Sequence, residues 1–145
     1  MDFSESVMIA LLPTTSEWCH IELPHLTLVY AGEIPDHIPT VHNKMVKTTL
    51  DLALAYSPLI LETEGVETFG DEDYRVDVYT LIPTAELMAM RSIVEKWNVS
   101  EYPFRPHVTI GPEGTANQTM PKTIVFDKLL VSWGNNHIQF KLTGT

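Results

Sequence analysis

The chain has 145 residues, 44% of them hydrophobic, which is enough for one domain with a substantial buried core. Nineteen acidic residues against nine Lys and Arg residues give a formal net charge of −10 at pH 7. Because nucleic acids bind mainly through Lys and Arg side chains that neutralise phosphates, this charge argues against a long nucleic acid as partner. A small phosphate-bearing ligand, which needs only a few donors, remains compatible with it.

The single cysteine and the N-terminal segment bear on where the protein works. Cys19 has no disulfide partner, which favours a reducing compartment. The N-terminal segment combines two acids with a short apolar run, which is typical of a first strand and not of a signal peptide. No stretch approaches the ~20 apolar residues of a membrane span. We therefore expect a cytoplasmic protein with no membrane partner, whereas the oligomeric state stays open.

In chain order, the spacing of apolar residues alternates between the periods of strands and helices. Turn residues, prolines and a Thr N-cap mark the boundaries. In the first half, we predict strands at 6–13 and 25–31, a helix from Pro39 in which Val46, Leu50 and Leu54 recur, and extended chain at 59–63. A hairpin turn at 70–73 leads to a strand in which Val76, Val78 and Thr80 alternate with Arg75, Asp77 and Tyr79. A helix from Thr84 to about Asn98, a strand carrying His107, and strands at 123–133 and from Ile138 follow.

The predicted order is β, β, α, β, β, α, β, β, β. No linker or low-complexity segment separates the two halves, and each half holds one helix. The sequence therefore predicts one α+β domain over residues 1–145, made of two similar lobes with one helix each.

One short phrase occurs in both halves, as PHLTLVY and as RPHVTIG. Residues i and i+2 of a strand point to the same face, so His25 lies beside Thr27 and His107 beside Thr109. If the lobes pack with these strands together, two imidazoles and two hydroxyls meet in one cleft. A single His-x-Thr is a weak signal, whereas two copies, one in each half, favour a shared function.

This set of side chains is sufficient to cleave a phosphodiester. With an unperturbed pKa of about 6.5, one imidazole accepts a proton while its charged partner donates one. The two threonine hydroxyls then hydrogen-bond the non-bridging phosphate oxygens. We therefore expect His25 and His107 to be catalytic, Thr27 and Thr109 to bind substrate, and neither a metal nor another cofactor to be needed.

Other residues near the motifs are weaker candidates. Arg105 lies two residues before His107, where it either contacts a phosphate oxygen or is an ordinary surface residue. Trp18 either stacks on a nucleobase or packs its loop against the core. The remaining histidines are expected to be surface, structural or solvated residues: His20, His37, His42 and His137.

The paired motifs HLTL and HVTI resemble those of the 2H phosphoesterase superfamily, and the order of elements is similar to that of its LigT-like members over nearly the whole chain. The resemblance implies a bilobal α+β fold, with two similar lobes of antiparallel strands, one helix in each lobe and the active site in the cleft between them. It also implies that His25 and His107 form the acid–base pair and that Thr27 and Thr109 bind the phosphate.

The segments FRPHVTIGPEG and VSWGNN are more similar to a small phage-encoded branch, which includes anti-CBASS phosphodiesterases that degrade cyclic oligonucleotide immune signals. This implies a small cyclic nucleotide as substrate, in the host cytoplasm if the protein is phage-encoded. Two alternatives remain open. A LigT-type enzyme that opens 2′,3′-cyclic phosphates on RNA would use the same four residues, and a sponge would bind nucleotides without cleaving them.

Overall fold

The computed structural model describes residues 5–37, 39–116 and 119–144. Within them the chain forms seven strands, two α-helices and two short 3₁₀ helices. The strands are β1 Ser6–Pro13, β2 Leu26–Glu33, β3 Leu59–Gly70, β4 Arg75–Leu81, β5 His107–Pro112, β6 Thr123–Trp133 and β7 Asn136–Lys141. The helices are α1 Pro39–Ala55 and α2 Ala85–Val94, and the 3₁₀ helices span Ile34–Asp36 and Glu95–Trp97.

The strands form one antiparallel sheet in the order β2-β1-β6-β3-β4-β5. β3 connects its two halves, because its first residues pair with β6 and its later residues pair with β4. β7 pairs with the far end of β6. The α+β class and the order of elements are thus as predicted from the sequence, although β3 extends seven residues beyond the predicted 59–63.

Alternation along β1 explains why the sheet is buried on both sides there. Val7, Ile9 and Leu11 belong to the main core, against which the helices pack, whereas Met8 and Leu12 form a second small cluster on the opposite face. α1 packs against β6 and β7, and α2 packs against β2. No helix among the described residues is long and apolar enough to cross a bilayer.

The helix α1 begins at Pro39 as predicted, but its buried face is not the predicted row. Its buried residues are Met45, Thr49, Leu52 and Ala53. Steps of four residues turn ~40° beyond a full turn each, so a fourfold row drifts away from the core. Accordingly, Val46 is half-buried, Leu50 is 40% exposed and Leu54 is 61% exposed.

The strand β4 also departs from the predicted one-sided burial. Val78 and Tyr79, on opposite faces, are both fully buried, and Asp77 is only 6% exposed. The reason is that β4 is an inner strand, paired with β3 on one side and β5 on the other. An inner strand covered on both faces loses the simple alternation of a half-buried one.

Candidate active site

The first His-x-Thr motif lies at the start of β2. His25 directly precedes the strand, and Thr27 stands opposite Ala10 of β1. Leu26 and Leu28, which alternate with them, are buried in the main core. The packing of these leucines fixes the face on which the imidazole and the hydroxyl lie, and both side chains remain partly accessible.

The second motif repeats this arrangement in β5. His107 is the first residue of the strand and Thr109 lies two residues on, both half-buried, while Val108 and Ile110 are fully buried. β2 and β5 stand at opposite ends of the sheet order, yet they contact each other because the sheet curves. The backbone amide of His20, before β2, donates to the carbonyl of Ile110 at 2.6 Å. The fold therefore brings the two motifs together.

Both rings are oriented in the same way. Nδ1 of His25 lies 2.8 Å from the carbonyl oxygen of Leu23, and Nδ1 of His107 lies 2.7 Å from that of Arg105. A carbonyl only accepts, so each Nδ1 carries the hydrogen, and Nε2 of the neutral ring is the basic nitrogen. The chain thus presents the same tautomer, held by its own backbone two residues earlier, at both positions.

The surroundings favour the neutral form of both rings. Burial lowers the pKa of His25 most, and the positive forms of His107 and His137 lower it further, against the opposing hydrogen bond to Leu23. Burial also lowers the pKa of His107, with a further contribution from the charge of Arg105 against its carbonyl bond. The effect of His107 on His25 agrees with the contact between β2 and β5, which brings the two motifs together.

Arg105, expected as either a phosphate ligand or a surface residue, lies beside the second motif. Its guanidinium pairs with the Glu67 carboxylate and lies 5.5 Å from the centre of the Phe69 ring. Phe69 in turn meets His107 edge-on, with ring centres 4.8 Å apart. Sequence reasoning missed Phe69 because the predicted third strand ended before it. No local signal pointed to it, because Val66 and Phe69, the apolar residues of β3 beyond Thr63, lie on opposite faces of the strand.

Trp18 and two of the histidines expected at the surface pack against aromatic rings. Trp18 is 7% exposed and packs against Tyr79, with ring centres 6.0 Å apart, so its loop-to-core alternative describes its position. His37 and His42 are not free surface residues, because their rings lie 5.5 and 4.6 Å from that of Trp133. This aromatic group sits on the core side of the sheet, away from the motifs.

His137 had been expected to be structural or solvated. It is exposed, on β7, and its positive form lowers the pKa of His25.

Among the described ranges 5–37, 39–116 and 119–144, no group of three or more His, Cys, Asp or Glu residues is arranged to hold a metal ion.

Comparisons with known proteins identify the family and agree with the fold. The profile of the 2′-5′ RNA ligase superfamily matches residues 20–138, which include both motifs. The fold is similar to that of Usb1 from Kluyveromyces marxianus, with a TM-score of 0.67, 14% identity and 97% of this chain and 99% of that chain covered. TT0787 of Thermus thermophilus gives a TM-score of 0.61 at 16% identity, covering 96% and 98%. E. coli LigT complexed with 3′-AMP gives 0.54 at 16% identity, covering 96% and 95%. No match was found among curated proteins.

Proposed function

The chain belongs to the 2′-5′ RNA ligase superfamily, and we propose that it is a metal-independent phosphodiesterase that cleaves small cyclic nucleotides. The observation that carries this proposal is the pair of equivalent imidazoles, His25 and His107, each held through Nδ1 by a backbone carbonyl. Two rings with the same free nitrogen, each beside a threonine hydroxyl, supply both proton transfers of a phosphodiester cleavage.

The proposed cleavage has two steps, the attack of a ribose hydroxyl on phosphorus and the hydrolysis of the resulting cyclic phosphate. Nε2 of the neutral imidazole takes the proton of a ribose 2′-hydroxyl while that oxygen forms a bond to phosphorus. The charged partner gives its proton to the departing 5′-oxygen as the P–O5′ bond breaks. Thr27 and Thr109 donate to the non-bridging oxygens and hold the phosphorus in line. The products are a 2′,3′-cyclic phosphate and a 5′-hydroxyl, and water opens the ring in a second step with the proton transfers reversed.

Charge favours a compact substrate over a long one. The seven acids between Glu62 and Asp77 belong to β3, β4 and the turn between them, which flank β5 and its histidine. A long polyanion would meet this field along its length, whereas a small nucleotide presents one or a few phosphates to the local donors. Phe69, beside His107, offers an aromatic surface for a base.

The preferred substrate class is a cyclic oligonucleotide, and the proposed role is phage counter-defence against cyclic-nucleotide immune signalling in the host cytoplasm. The paired motifs and the segments FRPHVTIGPEG and VSWGNN support that branch. A second candidate is the opening of 2′,3′-cyclic phosphates at RNA ends. The neighbouring structures favour it, since LigT was solved with 3′-AMP and Usb1 with uridine monophosphate.

The test is a cleavage assay with product masses, run with and without EDTA. Substrates are cyclic di- and trinucleotides and an oligoribonucleotide ending in a 2′,3′-cyclic phosphate. Because two imidazoles supply both proton transfers, we expect the rate with EDTA to stay within about twofold of the rate without it. Loss of activity that a specific divalent metal restores would overturn the mechanism. Tight binding of every nucleotide without cleavage would establish a sponge.

The dependence of kcat/KM on pH is a second expectation. Catalysis needs one charged and one neutral imidazole, and the pKa of each ring is lowered in the free protein. The required mixed state is then most populated below the ordinary value of about 6.5. We expect a bell-shaped profile with its optimum on the acid side of ~6.5, and its limbs belong to the pair rather than to one ring. A kcat/KM that rises steadily up to pH ~8 would contradict the acid–base role of the two imidazoles.

A further inference from the structure

A row of polar side chains covers the exposed face of β7. His137, Gln139 and Lys141 are all exposed, whereas Ile138 and Phe140 between them are partly buried, and Phe140 packs against the main core. The row lies at the edge of the sheet, because β7 pairs only with β6. We call His137, Gln139, Lys141 and the facing Lys128 of β6 the β7 strip.

The register of the sheet places the β7 strip on the same face as the first motif. Lys141 stands opposite Lys128, and Lys128 stands opposite Leu12 of β1. Leu12 shares its face and its small apolar cluster with Met8. The sulfur of Met8 in turn accepts from the hydroxyl of Thr27 at 4.0 Å. A continuous floor therefore runs from Thr27 to the strip.

The strip concentrates positive charge in a strongly acidic protein. Lys128 and Lys141 stand directly opposite each other, and like charges in this position destabilise a sheet. The adjacent Asp127 compensates in part, with Oδ1 3.2 Å from the Lys128 ammonium and the two side chains 20% and 39% exposed. The charge of His137 also reaches His25. The pairing of two lysines therefore destabilises the empty protein, and an anion bound beside them would offset that repulsion.

We propose that the β7 strip binds a second phosphate of the substrate, so that the site selects nucleotides with more than one phosphate group. The inference rests on the proposed function, in which the first phosphate sits between His25 and His107. The apolar floor formed by Met8, Leu12 and Leu130 separates the two phosphates, and it suits the sugar and base of the connecting nucleotide.

The experiment compares wild type with the double variant Lys128→Gln, Lys141→Gln, and His137 is kept because its charge acts on the catalytic His25. Cyclic tri-adenylate carries three phosphodiesters and adenosine 2′,3′-cyclic monophosphate carries one. We expect kcat/KM for cyclic tri-adenylate to fall about tenfold or more, less at high salt, and kcat/KM for the mononucleotide to stay within about twofold. Equal losses of kcat/KM on both substrates, or no loss on either, would overturn the proposal that the β7 strip binds a second phosphate. A linear dinucleotide ending in a 2′,3′-cyclic phosphate shows whether a ring is required.

The matched control is Lys44→Gln with Lys47→Gln. These lysines are exposed on α1, which packs on the other side of β6 and β7. The pair lowers the net charge by as much as the two strip lysines do. If it reduces cleavage of cyclic tri-adenylate as strongly as the strip variant, the effect is one of overall charge and the proposal fails.

A binding measurement keeps the strip testable even if no substrate is cleaved. In the His25→Asn background, the Kd of cyclic tri-adenylate should rise about tenfold when Lys128 and Lys141 are replaced with glutamine, and the Kd of 3′-AMP should not. Failure of wild type to cleave any substrate would count against the enzyme, while this difference in Kd would still support the strip. No binding of cyclic tri-adenylate with the strip intact would overturn it. Lys141→Gln alone should leave the urea midpoint unchanged or higher, since it relieves repulsion.

Discussion

Replacing His25 or His107 with asparagine is expected to lower kcat/KM for phosphodiester cleavage by about 10²–10⁴-fold. In the wild type, the carbonyl of Leu23 or Arg105 accepts the Nδ1 hydrogen of the ring. The asparagine amide is long enough to donate to the same carbonyl. It has no counterpart of Nε2, so one proton transfer is lost while the local backbone contact is retained. The readout is the steady-state rate on the best substrate, with thermal unfolding to verify that the fold persists.

The double variant, with asparagine at both His25 and His107, tests whether the two histidines act in the same step. The two transfers occur in one transition state, so the combined loss should be smaller than the product of the single losses. Binding of uncleaved nucleotide should survive better than turnover, because Thr27 and Thr109 remain. The matched control is His42→Asn, which removes an imidazole that packs on Trp133 on the core side of the sheet. Near-normal cleavage by either motif variant would end the acid–base assignment.

The repeated phrase could be read from the sequence because strand parity is local. In HLTL and HVTI, the alternation that buries Leu26 and Val108 also places His25 and His107 on the other face. The N-cap of α2 was equally local, and the Thr84 hydroxyl accepts from the Leu87 amide at 3.2 Å. Features set within about four residues are the ones that a single sequence specifies well.

Features that depend on the pairing of distant strands could not be predicted from the sequence. Phe69 reaches His107 only because β3, β4 and β5 lie side by side. His137 acts on His25 only because β7 adds to the far side of β6 and the sheet curves. Trp18 illustrates the complementary limit, since an aromatic residue in a loop fits a core and a ligand equally well until its neighbours are known.

Asp77, which is only 6% exposed, is expected to matter more for stability than an exposed carboxylate such as Asp51. Its Oδ2 accepts from the amides of Gly114 at 2.9 Å and Ala116 at 3.2 Å, and its Oδ1 accepts from the Thr68 hydroxyl at 3.0 Å. It thereby ties the segment that follows β5 to β4. Asp77→Ala leaves these donors without their acceptor and should lower the free energy of unfolding by about 2–4 kcal/mol in urea titrations.

The matched control is Asp51→Ala on α1. This carboxylate also has a partner, the Lys47 ammonium at 3.2 Å, but their side chains are 60% and 77% exposed. Exposed pairs of this kind contribute little, so the control should cost less than ~0.5 kcal/mol. Equal effects of the two variants would show that the hydrogen bonds of Asp77 are worth no more than a surface ion pair.

The pH dependence of stability provides a second readout for Asp77. Burial alone would raise its pKa, but the bonds from Ala116, Gly114 and Thr68 outweigh it and hold the pKa below its usual value. The folded state therefore binds fewer protons than the unfolded state. The contribution is complete above the unfolded pKa of about 3.9 and is lost as the pH falls through the folded value. Wild type should consequently lose more stability than Asp77→Ala between pH ~5 and ~2.5, and parallel losses would contradict the assignment.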